Sequence, residues 1–190
     1  THMVIIGNRF REIFLTGVYY EGINNLNNVD VKGNNFRNAF RGVVAWQNSM
    51  CNSLITDNTF WYPNYYNSTG IAVLAQESTG QRVNVHTMDV ICNNIFEPKT
   101  GIKLVNIRNP AIIQNIIYPY TLNSNIEAAG IRLDNNFGAI LERNTIRGGS
   151  PTQVHVTGIR SDNSNGVSAT CNIPSFLGRG FVFSGSQPGT

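Results

Sequence analysis

Two segments of the chain carry an arginine and an aspartate at the same places after a glycine: Gly130-Ile131-Arg132-Leu133-Asp134 and Gly158-Ile159-Arg160-Ser161-Asp162. One repeat earlier, Gly101-Ile102-Lys103 supplies a third cation in the arginine position. If the three segments are neighbouring strands of one sheet, Asp134 and Asp162 lie about 5 Å apart at their backbones. Carboxylates so paired can divide the work of glycoside hydrolysis, one held protonated as the acid and the other ionised as nucleophile or base. Asp134 and Asp162 are therefore the expected catalytic pair, with Lys103, Arg132 and Arg160 holding charged groups of the substrate. The competing expectation is a charge-balanced ladder, in which arginines pair with the aspartates and lower their pKa values. The same cations would also suit lyase chemistry, where a basic group removes the proton beside a uronate carboxyl, or plain binding of an acidic sugar.

Flat aromatic faces stack on the apolar faces of sugar rings, and the chain concentrates aromatics in its longer connections. Most stretches from a recurrent Asn to the next recurrent Gly take 7 to 9 residues, but Asn58 to Gly70 takes 12, Asn115 to Gly130 takes 15 and Asn144 to Gly158 takes 14. These excursions hold Trp61, Tyr62, Tyr65 and Tyr66, then Tyr118 and Tyr120, then His155. They precede the Gly-Ile segments and could wall them into a groove, or instead cover a flank or a contact between copies. Glu127 and His155 each stand three residues before the glycine and form a candidate acid–base pair across rungs; Glu21 beside Trp46 forms a second, weaker pair of the kind that holds carbohydrate. The expected sugar contacts are thus Trp46, Trp61, Tyr62, Tyr65, Tyr66, Glu127 and His155, beside the three cations. The long insertion between Gly70 and Asn94, with Glu77, Arg82, His86 and Asp89, reads as a binding loop or an excursion.

What must position these residues is a repeat. An asparagine recurs at positions 8, 34, 58, 94, 115, 144 and 172, about every 27 residues. Three residues before stands Ile5, Val31, Ile55, Ile91, Ile112, Leu141 or Ala169, and two after stands Phe10, Phe36, Phe60, Phe96, Ile117, Ile146 or the misfit Pro174. In phase with it run Gly17-Val18, Gly42-Val43, Gly70-Ile71, Gly101-Ile102, Gly130-Ile131, Gly158-Ile159 and Gly180-Phe181. In Val29-Asp30-Val31-Lys32 the apolar residues alternate with charged ones, the period of a strand. The Asn sits at a bend, tolerates unusual backbone angles there, and can bond its counterpart one rung away. The leucine-rich repeat has a similar frame but wants Leu throughout and a fairly constant length; here Leu is scarce and the Asn spacing wanders from 21 to 36. The expected fold is all-β: a single-domain right-handed parallel β-helix of about seven coils over residues 4–183, with an internal Asn ladder. Residues 1–3 read as a vector remnant, the whole as a piece of a longer protein, and residues 184–190 as a tail or end cap.

Composition narrows the partners. Of 190 residues 41% are hydrophobic and 13% charged, with a net charge of +3, and the Arg and Lys residues form no run or basic helix, so nucleic acid is not an expected partner. No stretch is long and apolar enough to insert into a membrane as a helix. The three cysteines, Cys51, Cys92 and Cys171, share no metal-type spacing and read as packing residues. No cofactor or metal is expected, since zinc, EF-hand, phosphate-loop and nucleophile-elbow patterns are all missing.

Through its Asn ladder and Gly-Ile strands, almost the whole chain resembles the pectate-lyase-like, right-handed parallel β-helix superfamily, and within it the tailspike and appendage proteins of bacteriophages. That resemblance implies a homotrimer on the virion tail that binds, and in many relatives cleaves, bacterial surface polysaccharide. It also leaves open a non-catalytic structural or adhesive stalk, or a secreted bacterial polysaccharide lyase, because the superfamily hosts several chemistries.

Overall fold

Short apolar–polar alternations punctuated by Gly and Asn leave each segment one buried face and too little length for a helix, so strands are the only elements that can stack them. In the computed structural model, which describes residues 2–13, 15–22, 28–47, 52–62, 68–75, 88–121, 127–149 and 155–185, every regular element is a strand. Three strands make one rung, and each contributes to a different parallel sheet. Sheet A stacks β1 (His2–Ile6), β4 (Asn28–Lys32), β7 (Asn52–Thr56), β10 (Met88–Ile91), β13 (Pro110–Ile113), β16 (Ile140–Glu142) and β19 (Ser168–Thr170). Sheet B stacks β2 (Arg9–Arg11), β5 (Asn35–Arg37), β8 (Thr59–Trp61), β11 (Asn94–Phe96), β14 (Ile116–Tyr118), β17 (Thr145–Arg147) and β20 (Ile173–Ser175). Sheet C stacks β3 (Thr16–Gly22), β6 (Arg41–Gln47), β9 (Thr69–Ala75), β12 (Thr100–Val105), β15 (Ala128–Asp134), β18 (Val156–Asp162) and β21 (Arg179–Ser184). This is an all-β parallel solenoid. Its first strand already includes His2 and Met3, which pair with Asn28 and Val29.

The asparagine ladder is present, with one member displaced from its expected position. Asn34, Asn58, Asn93, Asn115 and Asn144 are buried, and each accepts through Oδ1 from the backbone N–H of the ladder residue one rung before it at 2.9–3.0 Å. Each amide also donates back to a strand carbonyl, as Asn93 Nδ2 does to Ile55 O at 2.8 Å. The fourth member is thus Asn93, not Asn94. Both frames fit locally, since Val90 and Ile95 serve Asn93 as Ile91 and Phe96 would serve Asn94. A one-residue slip turns every side chain to the other face, and in the structure Val90 and Ile95 are fully buried while Ile91 and Phe96 point outward. The bend also differs from expectation. The residue before each ladder Asn takes the left-handed conformation: Gly7, Gly33, Asp57, Cys92, Gln114, Arg143 and Cys171, with φ between 53° and 67°. The Asn itself is free to aim its amide along the axis.

Inside, like sits on like. Phe10, Phe36 and Phe60 stack at 4.7 Å, nearly parallel, and Ile95, Ile117 and Ile146 continue the same row. Val43, Ile71, Ile102, Ile131 and Ile159 line sheet C without solvent contact. The recurrent glycines lie where the rungs are tightest: a Cβ on Gly101 would stand 2.5 Å from both the Gly130 carbonyl oxygen and Ile117 Cγ2. A second, shorter polar ladder runs at the turn after sheet C. There Asn136 accepts from Ile107 N at 2.8 Å and donates its own N–H to Ser164 Oγ at 2.9 Å.

Candidate functional site

Sheet C places Lys103, Arg132 and Arg160 in one outward column and Val105, Asp134 and Asp162 in the next, on three consecutive rungs. Inward Ile131 and Leu133 are buried and hold the strand, so the residues between them must face out. Both arginines are occupied. Arg132 Nε donates to the two carboxylate oxygens of Asp134 at 3.0 Å each, and its Nη2 lies 4.0 Å from Asp162. Arg160 Nε donates to Asp162 Oδ2 at 2.6 Å, while its Nη1 donates to Glu127. Thr157 Oγ1 completes Glu127 at 3.1 Å, and Ser184 donates to Asp162.

Electrostatics follow from these contacts. Partial burial pushes the Asp162 carboxyl up, but the hydrogen bonds from Ser184 and Arg160 and the charges of Arg160 and Arg132 outweigh it, and its pKa falls below the ordinary carboxylate value. The Arg160 guanidinium is raised by its bond to Asp162, against some desolvation, with help from the nearby Glu127 and Asp134 charges. Asp162 is therefore held as the anion and can act as a base, nucleophile or acceptor, not as a proton donor at neutral pH. Both oxygens of Asp134 accept from Arg132. Lys103 has no acidic partner among the described residues.

The remaining expected residues scatter. Glu127 and His155 stand on adjacent rungs, with Ala128 N donating to His155 O at 3.0 Å. The Glu127 carboxylate is nevertheless taken by Arg160 and Thr157, and the His155 side chain is exposed, so the pair does not form. Tyr62 is 1% exposed, packed beside Phe60 with its hydroxyl against Gly42, and burial drives its pKa well up. It is a core residue, and a sugar cannot reach it. Trp46 lies in register with Glu21 and Leu74 on sheet C. Tyr65 and Tyr66 lie outside the described residues. Among the described residues, no three His, Cys, Asp or Glu side chains are grouped to hold a metal.

Trp61 and Tyr118 are not loop residues: they end β8 and β14, and with Phe96 between them they form an outward column on sheet B. Phe96 lies 5.7 Å from Trp61, tilted by 38°, and 5.3 Å from Tyr118, nearly parallel. Phe96 is flanked by a ring on each side, and Trp61 remains 47% exposed. Beside this column lies a groove of about 290 Å³ lined by Trp61, Phe96, Tyr118, Pro119 and Tyr120, with Glu97 and Arg147 at its polar edge. Its volume is at the small end for ligand sites, and a mostly apolar wall with a few convergent polar groups is the usual make-up of one. Phe96, Glu97 and Arg147 were not anticipated from the sequence. The displaced frame had turned Phe96 inward. The signal was the distance to Gly101, 8 residues from Asn93, as from Asn34 to Gly42 and from Asn172 to Gly180.

Comparison with protein-family models, with curated proteins and with solved structures returned no match to this chain. The site must be read from its own chemistry.

Proposed function

We propose that this chain is the β-helix part of a bacteriophage tailspike or similar virion appendage, homotrimeric and acting outside the cell, that binds bacterial surface polysaccharide. One observation carries the reading: the sheet B groove, which Trp61, Tyr118 and Tyr120 line together with Glu97 and Arg147. Aromatic faces take the C–H faces of a sugar ring, while a carboxylate and a guanidinium satisfy its hydroxyls as acceptor and donor. Cleavage is a second reading, favoured by the one-rung spacing of Asp134 and Asp162 on sheet C. The ion pairing of that row supports binding more than hydrolysis.

The test is a panel of bacterial capsules and lipopolysaccharides, read for binding and for new reducing ends or unsaturated products. Binding that falls at least tenfold in Trp61→Ala and Tyr118→Ala is the expected result, a loss of about 1.4 kcal/mol or more. Product formation abolished by Asp134→Asn and Asp162→Asn would establish the enzyme, and an ultraviolet-absorbing product would mark a lyase. A folded chain that binds no member of the panel would be a structural stalk, and the proposal would be wrong.

A further inference from the structure

The seven strands of sheet B contain four arginines, Arg9, Arg11, Arg37 and Arg147, and not one carboxylate. Arg11 and Arg37 are exposed and lie in direct register, one rung apart. Like charges set opposite one another on a sheet cost stability. On sheet C Arg132 and Arg160 are answered by Asp134, Asp162 and Glu127, whereas among the described residues no acidic side chain pairs with Arg9, Arg11 or Arg37, nor with Arg41 and Arg179 at the starts of two sheet C strands. The nearest acid in sequence, Glu12, instead accepts from Asn38 Nδ2 at 2.7 Å. Among the described residues, no ion pair offsets this repulsion.

The column continues from Arg11 and Arg37 directly into Trp61, Phe96 and Tyr118, and the next rung brings Arg147. Arg147 rests over the ring of Phe176 at 4.9 Å, which holds its guanidinium at the groove's rim. From Arg11 to Arg147 is five rungs, about 24 Å. An extended chain laid along the solenoid axis would meet cations, then aromatic rings, then a cation.

We infer that the polysaccharide bound on sheet B is anionic, its acidic groups taken by Arg11 and Arg37 at one end of the column and by Arg147 at the other. This rests on the groove being a saccharide site, and adds the charge of the ligand. Guanidinium groups bind carboxylate and phosphate through paired N–H donors, which suits either acid. Glu97, the one carboxylate lining the groove among the described residues, stands beside the aromatic rings, where it would accept from sugar hydroxyls. The Arg and Lys residues form no run or basic helix, which favours a glycan over a nucleic acid.

Calorimetric titration of the whole chain with four hexamers tests this: hexagalacturonate, glycerol-phosphate hexamer, maltohexaose and hexathymidylate. One of the two acidic hexamers should bind about tenfold tighter than maltohexaose, weaken several-fold between about 50 and 200 mM salt, and lose about tenfold in Arg37→Gln and in Arg147→Gln. Which of the two binds identifies the acid. Maltohexaose bound equally well, with no salt dependence, would overturn the charge assignment and leave the saccharide groove standing. A folded chain binding no glycan would remove the groove as well, and hexathymidylate bound more tightly than any glycan would replace the inference with a nucleic-acid site.

Discussion

Asn93 and Asn94 are adjacent, chemically identical and wholly different in what they hold. Asn93 accepts from both the backbone and the side-chain N–H of Asn58 and donates to the Ile55 carbonyl, all in the interior, and to the half-buried carbonyl of Ile91. Asn94 begins β11 with its side chain on the outer surface of sheet B. Truncating Asn93 strips partners from several buried backbone groups at once, each worth about 1–3 kcal/mol when left unmade. Asn93→Ala should therefore cost roughly 3–5 kcal/mol, read as a fall in the urea midpoint, while Asn94→Ala stays below about 1 kcal/mol. Equal losses would mean that the ladder does not carry the load assigned to it. The repeat itself was legible, because seven amides at one phase are a strong pattern; the choice between tandem asparagines was not. Each frame offers an aliphatic residue three before and an apolar one two after, so only the neighbouring rungs decide.

At the scale of the strand and its turns, glycine serves two separate needs that a sequence pattern cannot distinguish. Gly33 precedes a ladder Asn at φ 62°, and a Cβ there would meet nothing within 4 Å. Gly101 needs no left-handed angle, but its Cβ would overlap the backbone of the next rung and Ile117. Gly33→Ala should cost about 1 kcal/mol, the left-handed penalty alone. Gly101→Ala should cost about 3 kcal/mol, because neither a backbone carbonyl nor a buried isoleucine can yield. Thermal or urea denaturation of the two variants compares them, and a Gly101→Ala variant as stable as Gly33→Ala would remove close rung contact as the reason for the glycine column. The sequence carried the phase of the Gly101-type glycines and the outward placement of Arg132, Asp134, Arg160 and Asp162, since alternation along a strand determines facing. It did not carry the partners. Whether Glu127 meets His155 or Arg160 depends on side-chain reach across rungs, and whether Trp61 and Tyr118 end strands or hang in loops depends on where the stacking stops.

Seen whole, the solenoid has three faces of different character, and that difference sets how copies could meet. Sheet C carries an ion-paired ladder and sheet B an aromatic row between arginines. Sheet A turns Leu54, Ile91 and Ile113 outward, half-buried, with Val4 50%, Ile6 57% and Ile140 46% exposed, among the charges of Asp30, Lys32, Asp89 and Glu142. Burial raises the pKa of Asp89 on this face, as desolvation does to a carboxyl set among apolar side chains. Apolar surface is the part of a rigid rod that association can hide with gain, so the homotrimer proposed above should form through sheet A and leave sheets B and C open to ligand. Sedimentation equilibrium should then give three times the 21.0 kDa chain mass. Ile113→Lys combined with Ile140→Lys should reduce it to the single-chain mass with the strand signal in circular dichroism unchanged, since both side chains point away from the core. Arg37→Gln, on sheet B, should leave the mass as it was. A wild-type chain that sediments as a monomer throughout the micromolar range would exclude the trimer, while a trimer indifferent to the two lysines would move its contact to another face and put the sheet B groove in competition with it.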